Sequence, residues 1–322
     1  MKKYDNNGDY ILVVCPNPSV DIFAWVDEIK TGGVNRVTKE EHFPGGKGVH
    51  VALAAAELGQ EVKLLGFWGG RTGSWIKSEC ERRFENLKCI GPNVGGWARS
   101  CYTFKAESDF DDTEILGLGP EITDEDIEAF YHAFDGFVPE ATCVVMSGSW
   151  PKKAPKDGYA NLIGRANAYH KAVILDCTGI QFENAMRLSP YAVHLNKSEA
   201  ESITKIDDVT ASSAKLGKKV LAAITDGAKG LYLSDDQETV HASCKVVEVH
   251  SAVGSGDCLS AGLAVAFTLG MSLVDTAKYA VACGGANCMR KDLGLLFKVH
   301  VDYLLPTVEI HSEIRHYEEL NH

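Results

Sequence analysis

The residues most able to do chemistry form a glycine turn that ends in an acid, Gly254-Ser255-Gly256-Asp257. The turn follows a strand-like segment, 245–249, and precedes an apolar, proline-free segment typical of a buried helix. Glycines let backbone N–H groups approach an anion, and a helix N-terminus favours negative charge, so the pattern predicts a phosphate cradle beside a fixed carboxylate. Such a pair can hold a transferring phosphoryl group against a hydroxyl. A plain tight turn with a capping aspartate is the alternative for this motif alone.

A second acid, Asp21, follows the apolar run 11–15 after two prolines that stop the strand. Ligands bind at the carboxyl ends of strands in open α/β sheets, so Asp21 is a candidate ligand-binding residue, with a turn aspartate as the alternative. Farther along, Gly45-Gly46-Lys47 opens an Ala-rich helix where a ligand could approach the backbone. This motif is not a Walker P-loop, because no Ser or Thr follows the Gly-Lys pair.

An amide and a carboxylate, Asn196 and Glu199, stand three residues apart after the strand-like segment 192–195. On a helix that begins there, they share one face and could hold a hydrated Mg²⁺ through water. A capping box made by the same two residues is an equally good interpretation, and the two are compatible.

Three other positions could contact an anion or a nucleotide. The glycine turn 225–230 separates two strand-like runs, and by itself it indicates a hairpin. The tiny residues of 282–288 permit either close helix packing or close approach of an adenine. Arg99, on a strand-like run, is a candidate anion ligand, with a solvated surface arginine as the alternative.

Helical and strand-like segments alternate from residue 123 onwards, which predicts a mostly parallel sheet with right-handed crossovers. Two β-rich pieces, 17–43 and 97–118, break this rhythm and are expected to pair with each other as a separate small sheet. The predicted organisation is an α/β core made of 1–16, 44–96 and 119–322, with the small sheet inserted as a lid. The expected core strands include 61–66, 142–146, 172–175, 192–195, 220–224 and 230–234, and a helix is expected over 74–87.

Composition restricts the classes of partner. The 322 residues carry a net charge of −12, which argues against nucleic acid or an anionic membrane as the main partner. A local basic pocket can still bind an anionic substrate. The ten cysteines form no C-x-x-C pair, which favours buried reduced thiols and a cytoplasmic protein. No signal-peptide pattern is present, and no apolar run reaches the roughly 20 residues that span a bilayer.

Together these motifs resemble those of the ribokinase-like, or PfkB, carbohydrate kinases over nearly the whole chain. Gly45-Gly46-Lys47-Gly48 and Val253–Asp257 are similar to the two signatures of that family, and Asn196-x-x-Glu199 lies between them in the same order. Segments 17–21, 34–36, 114–120 and 147–151 resemble the branch that contains the 1-phosphofructokinases and tagatose-6-phosphate kinases. The resemblance implies a three-layer α/β/α sandwich with a β-sheet lid, ATP with Mg²⁺, and a homodimer formed through the lid.

The resemblance also implies a role for each matching residue. Asp257 would orient the sugar hydroxyl or accept its proton, and Gly254, Ser255 and Gly256 would form the anion hole. The other matching residues fall into three groups: Asp21, Asn35, Gly45, Gly46, Lys47, His50 and Arg99 for the sugar phosphate, Asn196 and Glu199 for the metal, and Asn196, Thr225, Gly227 and Asn287 for the nucleotide.

Two positions depart from the family pattern. His50 stands where relatives usually have Asn near the sugar, and its charge is expected to vary near neutral pH. His194-Leu195 replaces the Lys-Pro that commonly precedes the Asn-x-x-Glu motif.

The resemblance implies ATP-dependent transfer of the γ-phosphoryl group to a hydroxyl of a ketohexose monophosphate, with fructose 1-phosphate to fructose 1,6-bisphosphate as the first choice. Three alternatives stay open at this point. They are a tagatose-6-phosphate or 6-phosphofructo kinase, a kinase of an unphosphorylated sugar or nucleoside, and a sugar-phosphate-binding regulator without turnover.

Overall fold

The computed structural model describes residues 4–106, 113–291 and 294–314. The strands in these ranges are β1 (Tyr10–Cys15), β2 (Ser19–Trp25), β3 (Lys39–Gly45), β4 (Val62–Gly66), β5 (Trp68–Gly69), β6 (Leu87–Ile90), β7 (Asn93–Val94), β8 (Arg99–Lys105), β9 (Thr113–Leu116), β10 (Ala141–Ser147), β11 (Ala172–Asp176), β12 (Ala192–Asn196), β13 (Leu221–Thr225), β14 (Leu231–Ser234), β15 (Glu238–Ser243) and β16 (Glu309–Ile314). The α-helices are α1 (Lys47–Glu57), α2 (Gly70–Arg83), α3 (Asp124–Phe137), α4 (Gly158–Ala168), α5 (Gly179–Ala185), α6 (Lys197–Thr204), α7 (Val209–Gly217), α8 (Ser255–Thr268), α9 (Leu273–Cys288) and α10 (Lys298–Leu304). Within these ranges, no helix is both long and apolar enough to cross a bilayer.

A ten-stranded sheet forms the centre of the molecule, in the order β16-β15-β14-β13-β12-β11-β10-β1-β4-β6. Pairing is parallel from β13 through β6 and antiparallel from β13 to β16. The strand β1 lies between β10 and β4, with Val13 opposite Val145 and Leu64. The mostly parallel sheet predicted from the alternation of helices and strands is confirmed.

Alternating residues of each central strand face two different helical layers. In β1, Ile11 and Val13 pack in the cluster that includes residues of α1, α8 and α9, while Leu12 and Val14 pack in the cluster that includes residues of α3 and α4. All four are almost completely buried, and burial of one such side chain contributes about 1.5–3 kcal/mol. A strand that is apolar on both faces therefore produces the three-layer α/β/α sandwich.

The two β-rich pieces form a separate four-stranded sheet in the order β3-β2-β8-β9. The strands β2 and β8 run parallel, with Ser19 opposite Arg99 and Asp21 opposite Cys101, and β9 completes a hairpin with β8. The polar loop 107–112 of that hairpin lies outside the described residues. This pairing brings two chain segments about eighty residues apart to one side of the core.

One expected element is absent from the structure, and another has different bounds. Residues 245–249 are not a strand. The strand β15 ends at Ser243, and its two neighbours reach no further, because β14 begins at Leu231, opposite Ala242, and β16 begins at Glu309, opposite Ser243. The helix expected over 74–87 is α2, which begins at Gly70 and ends at Arg83, and Leu87 begins β6. All ten cysteines lie in described ranges and are unpaired thiols.

Candidate active site

A cavity of about 1160 Å³ opens between the small sheet and the carboxyl ends of the parallel strands. The small sheet contributes Asp21 and Arg99 to its wall, β11 contributes Asp176, and the turn before α8 closes one side. Every residue that the sequence predicted for the site lines this cavity except Asn35, Gly45 and Asn287. The fold thus brings together segments from both ends of the chain.

The glycine turn has the backbone conformation that an anion cradle requires. Gly254 caps α8 with a φ of 83°, and a Cβ at this position would lie 2.7 Å from the Cα of Gly294, so no other residue fits without strain. The helix begins at Ser255, and Asp257 lies buried in its first turn. The N-terminus of α8, the end of a helix that attracts negative charge, therefore lies in this turn, where the Ser255 N–H also donates to the Ala252 carbonyl at 3.2 Å.

His50 bridges two carboxylates at the floor of the cavity. Its Nδ1 lies 2.8 Å from Asp257 Oδ2, and its Nε2 lies 3.2 Å from Asp21 Oδ2, a close ion-pair contact without hydrogen-bond geometry. Burial alone would lower the pKa of this imidazole, but the two carboxylates outweigh burial and raise the pKa of His50 to about 10. The expectation that its charge varies near neutral pH is therefore wrong, because both ring nitrogens face carboxylates and the ring stays protonated.

Asp176 anchors a second charged network beside the first. Its Oδ1 accepts a hydrogen bond from Lys47 Nζ at 3.0 Å, and its Oδ2 lies 3.2 Å from both Ser260 Oγ and His194 Nδ1. Burial tends to raise the pKa of the Asp176 carboxyl, but Lys47 and His194 outweigh it and hold that pKa well below the usual range. Asp176 in turn raises the pKa of Lys47, so the ammonium that projects into the cavity stays charged.

Asn196 and Glu199 form the capping box of α6. The Asn196 Oδ1 accepts from the Glu199 N–H at 2.9 Å, and the Glu199 Oε2 accepts from the Asn196 N–H at 2.9 Å. Both side chains also line the cavity. Among the described residues, no three His, Cys, Asp or Glu side chains are grouped closely enough to enclose a metal ion. Oxygen donors from one or two carboxylates nevertheless suit Mg²⁺, which keeps several waters and is completed by substrate phosphates.

The residues predicted for the nucleotide occupy different positions. Thr225 ends β13, where its Oγ1 lies 3.4 Å from His194 Nε2, and Gly227 begins the 3₁₀ turn before β14. Both line the cavity. Asn287 is buried in α9 and donates from Nδ2 to the Leu295 carbonyl at 2.8 Å, so it joins α9 to the following loop instead of facing the cavity.

Of three further residues predicted for the sugar phosphate, one lines the cavity and two do not. Arg99 is half-buried on the cavity wall, where its Nε donates to the Asn17 carbonyl at 3.1 Å. Gly45 is buried at the end of β3 against the Asp21 carboxylate. Asn35 lies on the exposed loop between β2 and β3 and bonds to the backbone of Lys30, away from the cavity of its own chain.

The sequence interpretation gave no role to Asp176 or Ser260. The signal for Asp176 was available, because it ends the apolar run 172–175 as the last residue of β11, at the carboxyl end of a parallel strand, where ligands bind. Ser260 carries no such signal, since it is one small residue inside an apolar helix. Only the packing of α8 against the sheet reveals that it contacts Asp176.

Solved structures with the same fold carry the names of phosphofructokinases. Phosphofructokinase-2 from Escherichia coli in complex with fructose-6-phosphate superposes with a TM-score of 0.83 at 20% identity, covering 93% of this chain and 98% of that one. The tetrameric inhibited form of the same enzyme gives a TM-score of 0.81 at 21% identity, with coverages of 92% and 98%. At these identities the likeness defines the fold, which is that of the PfkB sugar kinases.

Sequence comparison identifies the family itself. The profile of the pfkB family carbohydrate kinases matches residues 16–296. A 1-phosphofructokinase from Bacillus subtilis (strain 168) is 30% identical over 310 residues, which cover 93% of this chain and 99% of the relative. The chain therefore belongs to the pfkB family of carbohydrate kinases and is a phosphotransferase for which ATP is the expected phosphoryl donor.

Proposed function

We propose that this kinase transfers the γ-phosphoryl group of ATP to a hydroxyl of a ketohexose monophosphate, with fructose 1-phosphate as the preferred acceptor. The observation that carries the proposal is the position of Asp257. It lies in the first turn of α8 in the same cavity as Asp21, Lys47 and Arg99 on one side and Thr225 on the other. The 1-phosphofructokinase relative supports the choice of acceptor.

Each of these cavity residues has a separate role in the proposed reaction. Arg99 binds the phosphate that the sugar already carries, and Asp21 binds sugar hydroxyls. The acceptor oxygen forms a bond to the γ-phosphorus while the bond from that phosphorus to ADP breaks, and ADP leaves with the electron pair. The hydroxyl proton passes to Asp257 and then to solvent. The backbone N–H groups of the turn and Lys47 stabilise the charge on the transferring group, which is the main requirement of a loose transition state.

Magnesium belongs to this proposal as well. Glu199 is the residue we expect to hold the ion through water, with Asn196 fixing the Glu199 carboxylate from the other half of the capping box. When bound, Mg²⁺ neutralises phosphate charge on the nucleotide.

The test is ADP production with Mg-ATP against fructose 1-phosphate, fructose 6-phosphate, tagatose 6-phosphate, fructose and ribose. We expect turnover on phosphorylated ketoses, highest on fructose 1-phosphate. Asp257→Asn should lower kcat by a factor on the order of 10² or more, while ATP affinity stays nearly unchanged. A matched control is His132→Asn on the exposed part of α3. Wild-type rate in the Asp257→Asn enzyme would refute the role of Asp257, and turnover only on unphosphorylated sugars would refute the substrate class.

A homodimer formed through the small sheet completes the proposal. Large apolar side chains on this sheet and its adjoining loops are solvent-exposed in the single chain, namely Val34, Trp97, Ile115 and Leu118. Several exposed large apolar side chains on one small sheet and its loops are typical of an interaction site. Sedimentation analysis should give a dimer for the wild type and a monomer for an Ile115→Glu, Leu118→Glu variant. A wild-type monomer at micromolar concentration would exclude the dimer.

A further inference from the structure

His50 occupies a position between the two acids that the proposed reaction needs. It is only 5% exposed, and its two ring nitrogens contact Asp257 at 2.8 Å and Asp21 at 3.2 Å. The backbone of Gly294 covers the ring so closely that a Cβ at position 294 would lie 2.1 Å from His50 Cγ. The imidazole is therefore confined on one face by backbone and at both nitrogens by carboxylates.

The charges around the ring favour the bridging arrangement. Two buried carboxylates that face one small group cannot both stay ionised unless a cation lies between them. The other charged groups nearby act on the carboxylates from outside the bridge: Arg99 on β8 acts on Asp21, and Lys47 at the start of α1 interacts with Asp257. Burial alone would raise the pKa of Asp21, but His50, with help from Ser19 and Arg99, holds it below the usual value.

We propose that His50 is a positioning residue for catalysis: its Nδ1 fixes Asp257 through Oδ2 and leaves Oδ1 for the acceptor hydroxyl, and its Nε2 joins Asp257 to Asp21, which binds the same sugar. The proposal rests on the kinase activity proposed above. His50 carries its proton throughout the cycle, so it takes no proton from the substrate. Because His50 contacts both acids, the orientation of the catalytic base Asp257 depends on Asp21, the residue that binds the sugar.

Removing the cation should change the pH dependence of turnover as well as its rate. In His50→Asn, one of the two facing carboxylates retains a proton near neutral pH, because nothing separates their charges. We expect kcat to fall by about tenfold or more at neutral pH, with the KM for ATP unchanged. The acid limb of the kcat profile should move upwards by about one pH unit or more. A side chain that only filled space would lower kcat without moving that limb, and this result would overturn the proposal.

A measurement without turnover separates this proposal from the kinase activity. Histidine labelled at the ring carbon gives one NMR resonance that is missing in His50→Asn and intact in the control His132→Asn. In the wild type without substrate, that resonance should remain in the imidazolium position up to about pH 9. In Asp257→Asn its titration midpoint should fall by about one unit or more. A wild-type midpoint near the ordinary histidine value would overturn the bridge. If no sugar is phosphorylated but the resonance behaves as expected, the kinase proposal fails and the bridge stands.

Discussion

Unfolding of the protein should release a proton from His50 across a wide range of pH. The folded pKa of this imidazole is about 10, against an ordinary value of 6.5. Because the folded pKa is raised, the stabilisation is fully present below the ordinary value and is lost as pH rises through the folded one. A shift of this size corresponds to about 5 kcal/mol, lost at about 1.4 kcal/mol per pH unit.

The comparison that isolates this effect is between wild type and a double variant, His50→Asn with Asp257→Asn. The double variant removes the cation and one of its carboxylates together, so the net charge of the chain is conserved and no unpaired carboxylate pair is created. Urea unfolding followed by circular dichroism at a series of pH values gives the free energy of unfolding of each protein. A reductant keeps the ten thiols free during the experiment.

We expect the difference in unfolding free energy between the two proteins to fall steadily with pH from about 6.5 to about 10. The single variant His132→Asn, on the exposed part of α3, should follow the wild type throughout. A difference that stays constant over this range would show that His50 is already neutral in the folded protein. The reasoning about its two carboxylate contacts would then be refuted, however stable the variants proved to be.

Substitutions at three other positions test separate parts of the structure. Arg99→Ala should raise the KM for phosphorylated ketoses tenfold or more, since a charged contact to phosphate contributes about 2 kcal/mol, and unphosphorylated sugars should be unaffected in the same assay. Gly254→Ala should destabilise the protein by about 2 kcal/mol and lower kcat, because its φ of 83° is strained for alanine; melting temperature and turnover check this. Lys171 is buried and paired with Asp5, which reaches solvent, so Lys171→Met should change stability by only about 1 kcal/mol, whereas Lys171→Ala, which leaves a cavity, should cost about 2 kcal/mol or more in urea unfolding.

The strands of the core were predictable because their apolar runs are continuous and their ends are polar. The runs that became β10, β11, β12 and β13 were located within about two residues, the usual precision of element boundaries. The strand predicted over 245–249, a segment that is also rich in valine, is absent from the structure. Its three valines are compatible with a strand, but a strand needs a neighbour to pair with, and the pairing of β15 with β14 and β16 stops at Ala242 and Ser243.

Motifs in the sequence predicted which residues line the cavity, but they did not predict which side chains contact each other there. Asp257 and the glycine turn are recognisable from local sequence, since a helix N-terminus is a local structure. The contact between His50 and Asp257 joins residues 207 positions apart in the chain. A histidine in a sequence does not show which groups will face it. The charge of His50 depends on the packing of α1 against α8, which only the folded structure shows.

The fixed positions of the charges in the cavity affect how an acidic protein binds anionic substrates. Lys47 and His50 are each paired with buried carboxylates, so their charges are held in place before any substrate arrives. Asp176 receives further support from Ser260, which lets it keep its charge away from water. An incoming phosphoryl group then meets the Lys47 ammonium, whose position and charge are already fixed, and little reorganisation is needed when negative charge develops. The net charge of −12 acts at longer range and is screened by salt, whereas these partly or fully buried pairs are screened much less, so the local arrangement has the larger effect on which ligand the site accepts.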